Sequence, residues 1–133
     1  MSRMDYLRIF ADRDGCSHFE TKSMKLQSKE YAPPAPALNT SPLEAADNYI
    51  FLELPVGWYG DWHPTPVRQW LIFMAGMCEF EAGDGQITTC KTGDVVLLDD
   101  TRGKGQGCDQ EIPDQHQKTQ PANGMTGIGQ WQM

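Results

Sequence analysis

The sequence predicts an all-β domain, a sandwich or small barrel. Three features predict it. Apolar residues come in short runs between Asp47 and Leu98, each run bounded by turn residues. Cys78, Phe80 and Ala82 alternate with Glu79 and Glu81, the period-two pattern of a strand with one wet face. Helix signals are scarce, the best of them at Ser41–Glu44.

Taken in order, Met4–Ala11 reads as a short strand, with Tyr6, Ile9 and Phe10 apolar among charges. Asp12–Arg13–Asp14–Gly15 is a turn. Ser17–Gln27 alternates loosely through Phe19, Met24 and Leu26 and reads as a weak strand. The segment 31–42, YAPPAPALNTSP, holds four prolines. Proline has no amide donor for a sheet ladder, so this is an extended surface segment, lying across a barrel opening or across a partner subunit. Ser41–Pro42–Leu43–Glu44 combines a capping serine, a proline at the first helical position and a glutamate three residues after the cap. It predicts a single helical turn to Ala46.

Asp47–Pro55 is apolar on both phases and predicts a strand buried on both faces. Arg68–Ala75 is the next strand, followed by a Gly76–Met77 turn and the strand Cys78–Ala82. Gly83–Asp84–Gly85 is a hairpin turn, because Asp-Gly takes the positive φ that tight hairpins need. Gln86–Lys91 continues as a strand. Thr92–Gly93–Asp94 turns again, and Val95–Leu98 is a buried strand rich in β-branched and aliphatic residues.

The chain has 133 residues and a net charge of −7. That length suits one domain with one core. The charge and the lack of a basic block argue against nucleic acid and anionic membrane as partners. No apolar run approaches the ~20 residues of a membrane helix. The charged N-terminal stretch MSRMDYLRIFADRDG does not read as a signal peptide, so the expected location is the cytoplasm. Cys16, Cys78, Cys90 and Cys108 form no CxxC pair and read as reduced thiols, some of them buried.

The chemistry centres on the stretch Gly57–Gly76, GWYGDWHPTPVRQWLIFMAG. It places His63, Thr65 and Gln69 between two glycines, and this spacing resembles the first motif of the cupin superfamily. Gly93–Asp94–Val95–Val96–Leu97–Leu98 resembles the opening of the second cupin motif. The following Asp99–Gly105, together with Asp14–Glu20 and Tyr31–Pro36, is similar to segments of a group of small, mostly uncharacterised single-domain cupins. The resemblance runs from about Tyr6 to Gly105 and implies a jelly-roll β-barrel.

It also implies a metal site made of three histidines and a glutamate, and here the chain departs from the pattern. The corresponding positions are His63, Thr65, Gln69 and Gln106. A hydroxyl and two amides are weak neutral donors for a transition metal, so no metal and no cofactor is expected. A helper outside the motif, such as Asp61, Glu53, Asp99 or His18, would be needed to hold one. After Gly105 the resemblance ends. Residues 1–107 are read as the barrel domain. Residues 108–133, rich in Gln, Gly, Pro and Asp, are read as a disordered or loosely packed tail that leaves the barrel without its closing strands.

His63 is the candidate general acid/base, with Gln69 and Gln106 holding a substrate oxygen. The plainer alternative is a loop histidine and two amides left where a metal once sat. Tyr59, Thr65, Leu71 and Phe73 are the candidate ligand-binding residues. Alternation sets Gln69, Leu71 and Phe73 on one face of their strand and Trp70, Ile72 and Met74 on the other. That second face needs a cover, a second sheet or a subunit, and this favours a homodimer. His18 and His116 read as surface histidines, and Asp99–Asp100 as a solvated turn. The functional expectation is a metal-independent isomerase, cyclase or lyase acting on a small, partly apolar carbonyl or phenolic compound. A non-catalytic binding module or dimer scaffold is the alternative, and a metal-dependent oxygenase the third.

Overall fold

The computed structural model describes residues 2–55, 60–102 and 117–131, and for 60–63 and 117–131 the backbone alone. Every regular element among the described residues is a β-strand. The strands are β1 (Arg3–Ala11), β2 (Ser17–Lys25), β3 (Gln27–Lys29), β4 (Leu38–Thr40) and β5 (Asn48–Leu54). They continue with β6 (Gly60–His63), β7 (Gln69–Ala82), β8 (Ile87–Lys91), β9 (Val95–Asp99) and β10 (Gln117–Trp131). Eight of them form one sheet in the order β2-β1-β9-β7-β10-β5, with β8 beside β7 and β6 beside β10. β1 and β9 run parallel. The proline-rich segment contributes only β4, which pairs with β3 in a small ribbon.

The sheet curls into a half-barrel around one core. β7 carries much of the curl. Its first part pairs with β9 through Gln69–Ile72, and its second with β8 through Met77–Glu81. Gly76 lies between the two parts at φ 86°, a backbone conformation that a side chain disfavours. The expected Gly76–Met77 turn is therefore a kink within a continuous strand. Just before it, Phe73 and Ala75 pair with the adjacent Gly127 and Thr126, so Met74 is an extra residue, a bulge that shifts the phase by one. Phe73 and Phe80 are an odd number of residues apart and would face opposite ways on a regular strand. Here both are buried, and their rings meet edge to face with centroids 6.1 Å apart. Ile9, Leu71, Cys78, Cys90, Val96 and Leu98 complete the core around them.

Several expectations change. β5 is a strand as predicted, but Tyr49 and Phe51 are 64% and 68% exposed. It ends the sheet order, with β10 as its partner, so apolar residues on both phases do not give burial on both faces. Residues 41–46 form no helical turn. The capping pattern is followed by no amphipathic run to propagate a helix, and Glu44 instead makes a contact across the sheet described below.

In the segment expected to be loose, residues 117–131 form β10, inserted between β7 and β5. Backbone pairing to two neighbours builds this strand without any apolar alternation of its own. Its register with β7 shifts between Pro121 and Met125, and again between Thr126 and Gly127. Residues 103–116 lie outside the described residues.

Cys16 is disulfide-bonded, while Cys78 and Cys90 are free and buried. The expectation of reduced thiols thus holds for the latter two and not for Cys16, since sequence spacing does not show which sulfurs meet in space. Disulfides belong to oxidising compartments, so Cys16 lends no support to a cytoplasmic placement. No helix among the described residues is long and apolar enough to cross a membrane.

Candidate functional site

The outer face of the sheet holds a cleft. Leu7 and Ile9 of β1, Leu71 and Phe73 of β7, and Val96 and Leu98 of β9 point to or pack against the core. The alternate residues Tyr6, Trp70, Ile72 and Val95 therefore form a surface on the other side. The cover this face needs comes from the chain itself. The strap Ser41–Glu44 lies across it, and the Trp70 indole Nε1–H donates to Glu44 Oε2 at 3.1 Å. Tyr6 meets Trp70 edge-on at 4.9 Å. The reason for expecting a dimer, an outer face left bare, is met within one chain at Trp70 and Ile72; Met74 stays exposed.

Between strap and sheet is a cavity of about 690 Å³. Its floor is Tyr6, Trp70, Ile72 and Val95; Met4 and Met24 form one side, and Pro42 and Leu43 another. Lys25, Arg68 and Glu44 supply its charge. A mostly apolar concavity of this size with a few polar groups is the usual form of a small-molecule site.

Four of the sequence-predicted site residues have described side chains, and these lie away from the cleft. Leu71 and Phe73 are core residues. Thr65 is buried and Gln69 half-buried. None of these four lines the cleft. His63 ends β6, its backbone opposite Gln117 of β10. Tyr59, Gln106 and His116 lie outside the described residues.

Thr65 marks a second feature at the interior end of the sheet. Its amide donates to the Asp100 carbonyl at 3.1 Å, and its Oγ1–H donates to Asp100 Oδ1 at 2.7 Å. Asp100 is 0% exposed, and its Oδ2 meets no hydrogen-bond partner among the described residues. Burial pushes its carboxyl up to about 7, and the neighbouring Asp99 charge adds to the rise. The solvated turn expected at Asp99–Asp100 does not form. Asp99 is held by Arg8, whose Nε and Nη2 both donate to Oδ2, at 3.0 and 2.8 Å. Asp100 continues the inward phase of Val96 and Leu98. Extending that alternation two residues past the apolar run is the sequence signal that would have found it.

His18 is the third feature. It is not a plain surface histidine. Nδ1 lies 2.7 Å from Asp84 Oδ2, and Nε2 lies 2.7 Å from Asp12 Oδ2. The imidazole thus joins the β1–β2 turn to the β7–β8 turn. The Gly83 amide, which donates to Ser17 Oγ at 2.7 Å, reinforces the same junction. Burial works against the charged ring, but the two carboxylates prevail and raise its pKa, while the imidazolium lowers that of Asp12. Ligand atoms of Asp12, Cys16 and His18 lie within 4.8 Å of one another. They do not fit a metal: the Cys16 sulfur is in a disulfide, and both His18 nitrogens face carboxylates.

A histidine whose folded pKa is raised stabilises fully below its unfolded value of about 6.5, and the effect is lost as pH rises through the folded value. His18→Gln is therefore expected to lower stability by about 1–2 kcal/mol at pH 6 and by less at pH 9. Urea unfolding at the two pH values checks this; an equal loss at both would show that the clamp is not ionic.

No family model matches the sequence, and no curated protein does.

Proposed function

We propose that this protein is a jelly-roll barrel of the cupin type that binds a small, partly apolar molecule without using a metal, and that the ligand lies in the cleft beneath the strap Ser41–Glu44. The observation that carries this reading is the cavity of about 690 Å³ with an aromatic and methionine-rich wall and three charged groups at its edge. Methionine side chains adapt to irregular ligands, and an indole or phenol offers a large apolar surface with one polar handle.

The test is a fragment screen read on the Trp70 indole N–H resonance, assigned with a Trp70→Phe variant. Binders are expected to shift that resonance. Leu43 is 78% exposed and lines the cleft, so Leu43→Asp changes the site without touching the core. It is expected to weaken apolar binders about tenfold, the cost of about 1.4 kcal/mol of lost burial. Binders that leave Trp70 unshifted, or that ignore Leu43→Asp, would overturn the reading.

A second reading, acid–base catalysis at the interior end of the barrel, is favoured by Asp100. A buried carboxyl with one unpartnered oxygen and a pKa of about 7 is the kind of group that gives or takes a proton near neutrality. Thr65, two residues from His63 in the chain, would orient it. In this reading Asp100 shares the movement of the proton with His63, while Gln69 and Gln106 hold the substrate oxygen.

A further inference from the structure

We propose that the ligand of the strap cleft is a small carboxylate with an apolar body, and that its carboxylate takes the place of Glu44 on the Trp70 indole. This rests on the cleft being the binding site. A buried indole N–H needs an acceptor, and the acceptor it has is a carboxylate. That carboxylate belongs to a strap without regular secondary structure, and Glu44 itself is exposed. Exchanging it for a ligand carboxylate keeps the hydrogen bond on the indole. The exchange needs no new buried charge.

The charges around the cleft favour an anion. Lys25 and Arg68 line it, against the one carboxylate of Glu44. Arg68 also lies 3.6 Å from Asp99, so part of its charge is balanced. Lys25 has no ion-pair partner among the described residues. A bound carboxylate would give it one. The apolar body would lie on Tyr6, Met4, Met24 and Ile72, between floor and strap. Opposite charge at the rim selects among ligands of similar apolar body more than it adds raw affinity.

The experiment compares 4-phenylbutyrate with its neutral amide, 4-phenylbutanamide, and with 4-phenylbutylamine, each titrated to 10 mM against the full chain. Dissociation constants are read from the Trp70 indole resonance. The acid is expected to bind at least tenfold more tightly than the amide, and the amine least well. Lys25→Gln should reduce the acid–amide difference to about threefold or less. Glu44→Ala should tighten binding of the acid about three- to tenfold, because the competing carboxylate is gone. Both positions are exposed, and unchanged backbone resonances outside the cleft will confirm that the variants fold.

Equal affinities for acid and amide, each shifting Trp70, would overturn the carboxylate class and leave the cleft as a binding site. Tighter binding of the amine would do the same. If none of the three probes shifts Trp70 while fragments bind elsewhere, the cleft reading fails and the carboxylate class with it.

Discussion

Asp100→Asn is expected to make the protein more stable at pH 8, by about 2 kcal/mol, and to flatten its stability between pH 5 and pH 8. The Asp100 carboxyl is raised by burial from 3.8 to about 7 in the folded state. A group raised in this way contributes stability that is fully present below its unfolded value and is lost as pH rises through the folded value. At pH 5 the folded chain holds the proton and the unfolded chain has released it, so folding takes up a proton. At pH 8 both states are ionised, and the folded state keeps a charge without a partner on Oδ2 among the described residues. The distance from 3.8 to about 7 corresponds to about 4 kcal/mol between the two limits.

Asparagine removes that charge while keeping an oxygen for the Thr65 hydroxyl. Its amide places unpaired donors where Oδ2 was, which offsets about 1–2 kcal/mol of the gain. His18 acts in the same direction over a higher window, above pH 6.5, so the variant should keep a shallow residual slope. Asp12, whose pKa is lowered by His18, acts in the opposite direction and only below about pH 4. The parent should therefore be most stable near pH 4 and lose stability steadily from there to about pH 7. Urea unfolding at pH 5, 6.5 and 8 measures all of this. A variant less stable than its parent at pH 8, or a parent that gains stability from pH 5 to 8, would show that the Asp100 carboxyl is not the buried group described.

Much of the central sheet was legible because its signals are local. Period two at Cys78–Ala82, the Asp-Gly turn before β8 and the aliphatic run of β9 each show their state within a few residues. The phase of β7 was legible too: Gln69, Leu71 and Phe73 point inward, opposite Trp70 and Ile72. What a phase does not show is how much room the inward side has. Leu71 and Phe73 read as pocket lining and are packed core, while the concave space lies behind Trp70. Finding it required knowing that Tyr6, Met24 and residues 41–44 converge there from three separate parts of the chain. His18 was opaque for the same reason, since one of its carboxylates is 66 residues away. β10 left no mark in the apolar pattern because its place is set by backbone pairing to β7 and β5. β5 left a misleading one, since apolar density is the same on a central strand and on an exposed edge.

Phe73→Ala is expected to destabilise the protein by about 3–4 kcal/mol, enough to lower the midpoint of thermal unfolding by about 10 °C in a domain of this size. Phe73 is 1% exposed and packs edge-on against Phe80 across the kink at Gly76, so truncation leaves a cavity at the point where the sheet bends. The backbone there is held on both sides, by Gly93 and Asp94 of the turn before β9 and by Gly127 of β10, and has little freedom to close around the gap. The milder Phe73→Leu variant should cost about 1–2 kcal/mol and stay folded. It separates the two places a ligand would occupy. With the ligand beneath the strap, on the far side of β7, Phe73→Leu leaves its affinity within about twofold of the parent. With the ligand inside the barrel, where the sequence placed it, Phe73 is part of its wall, and the same substitution weakens binding about tenfold with a smaller loss of stability. The ratio of lost affinity to lost stability in this one variant therefore tells which side of β7 the protein uses.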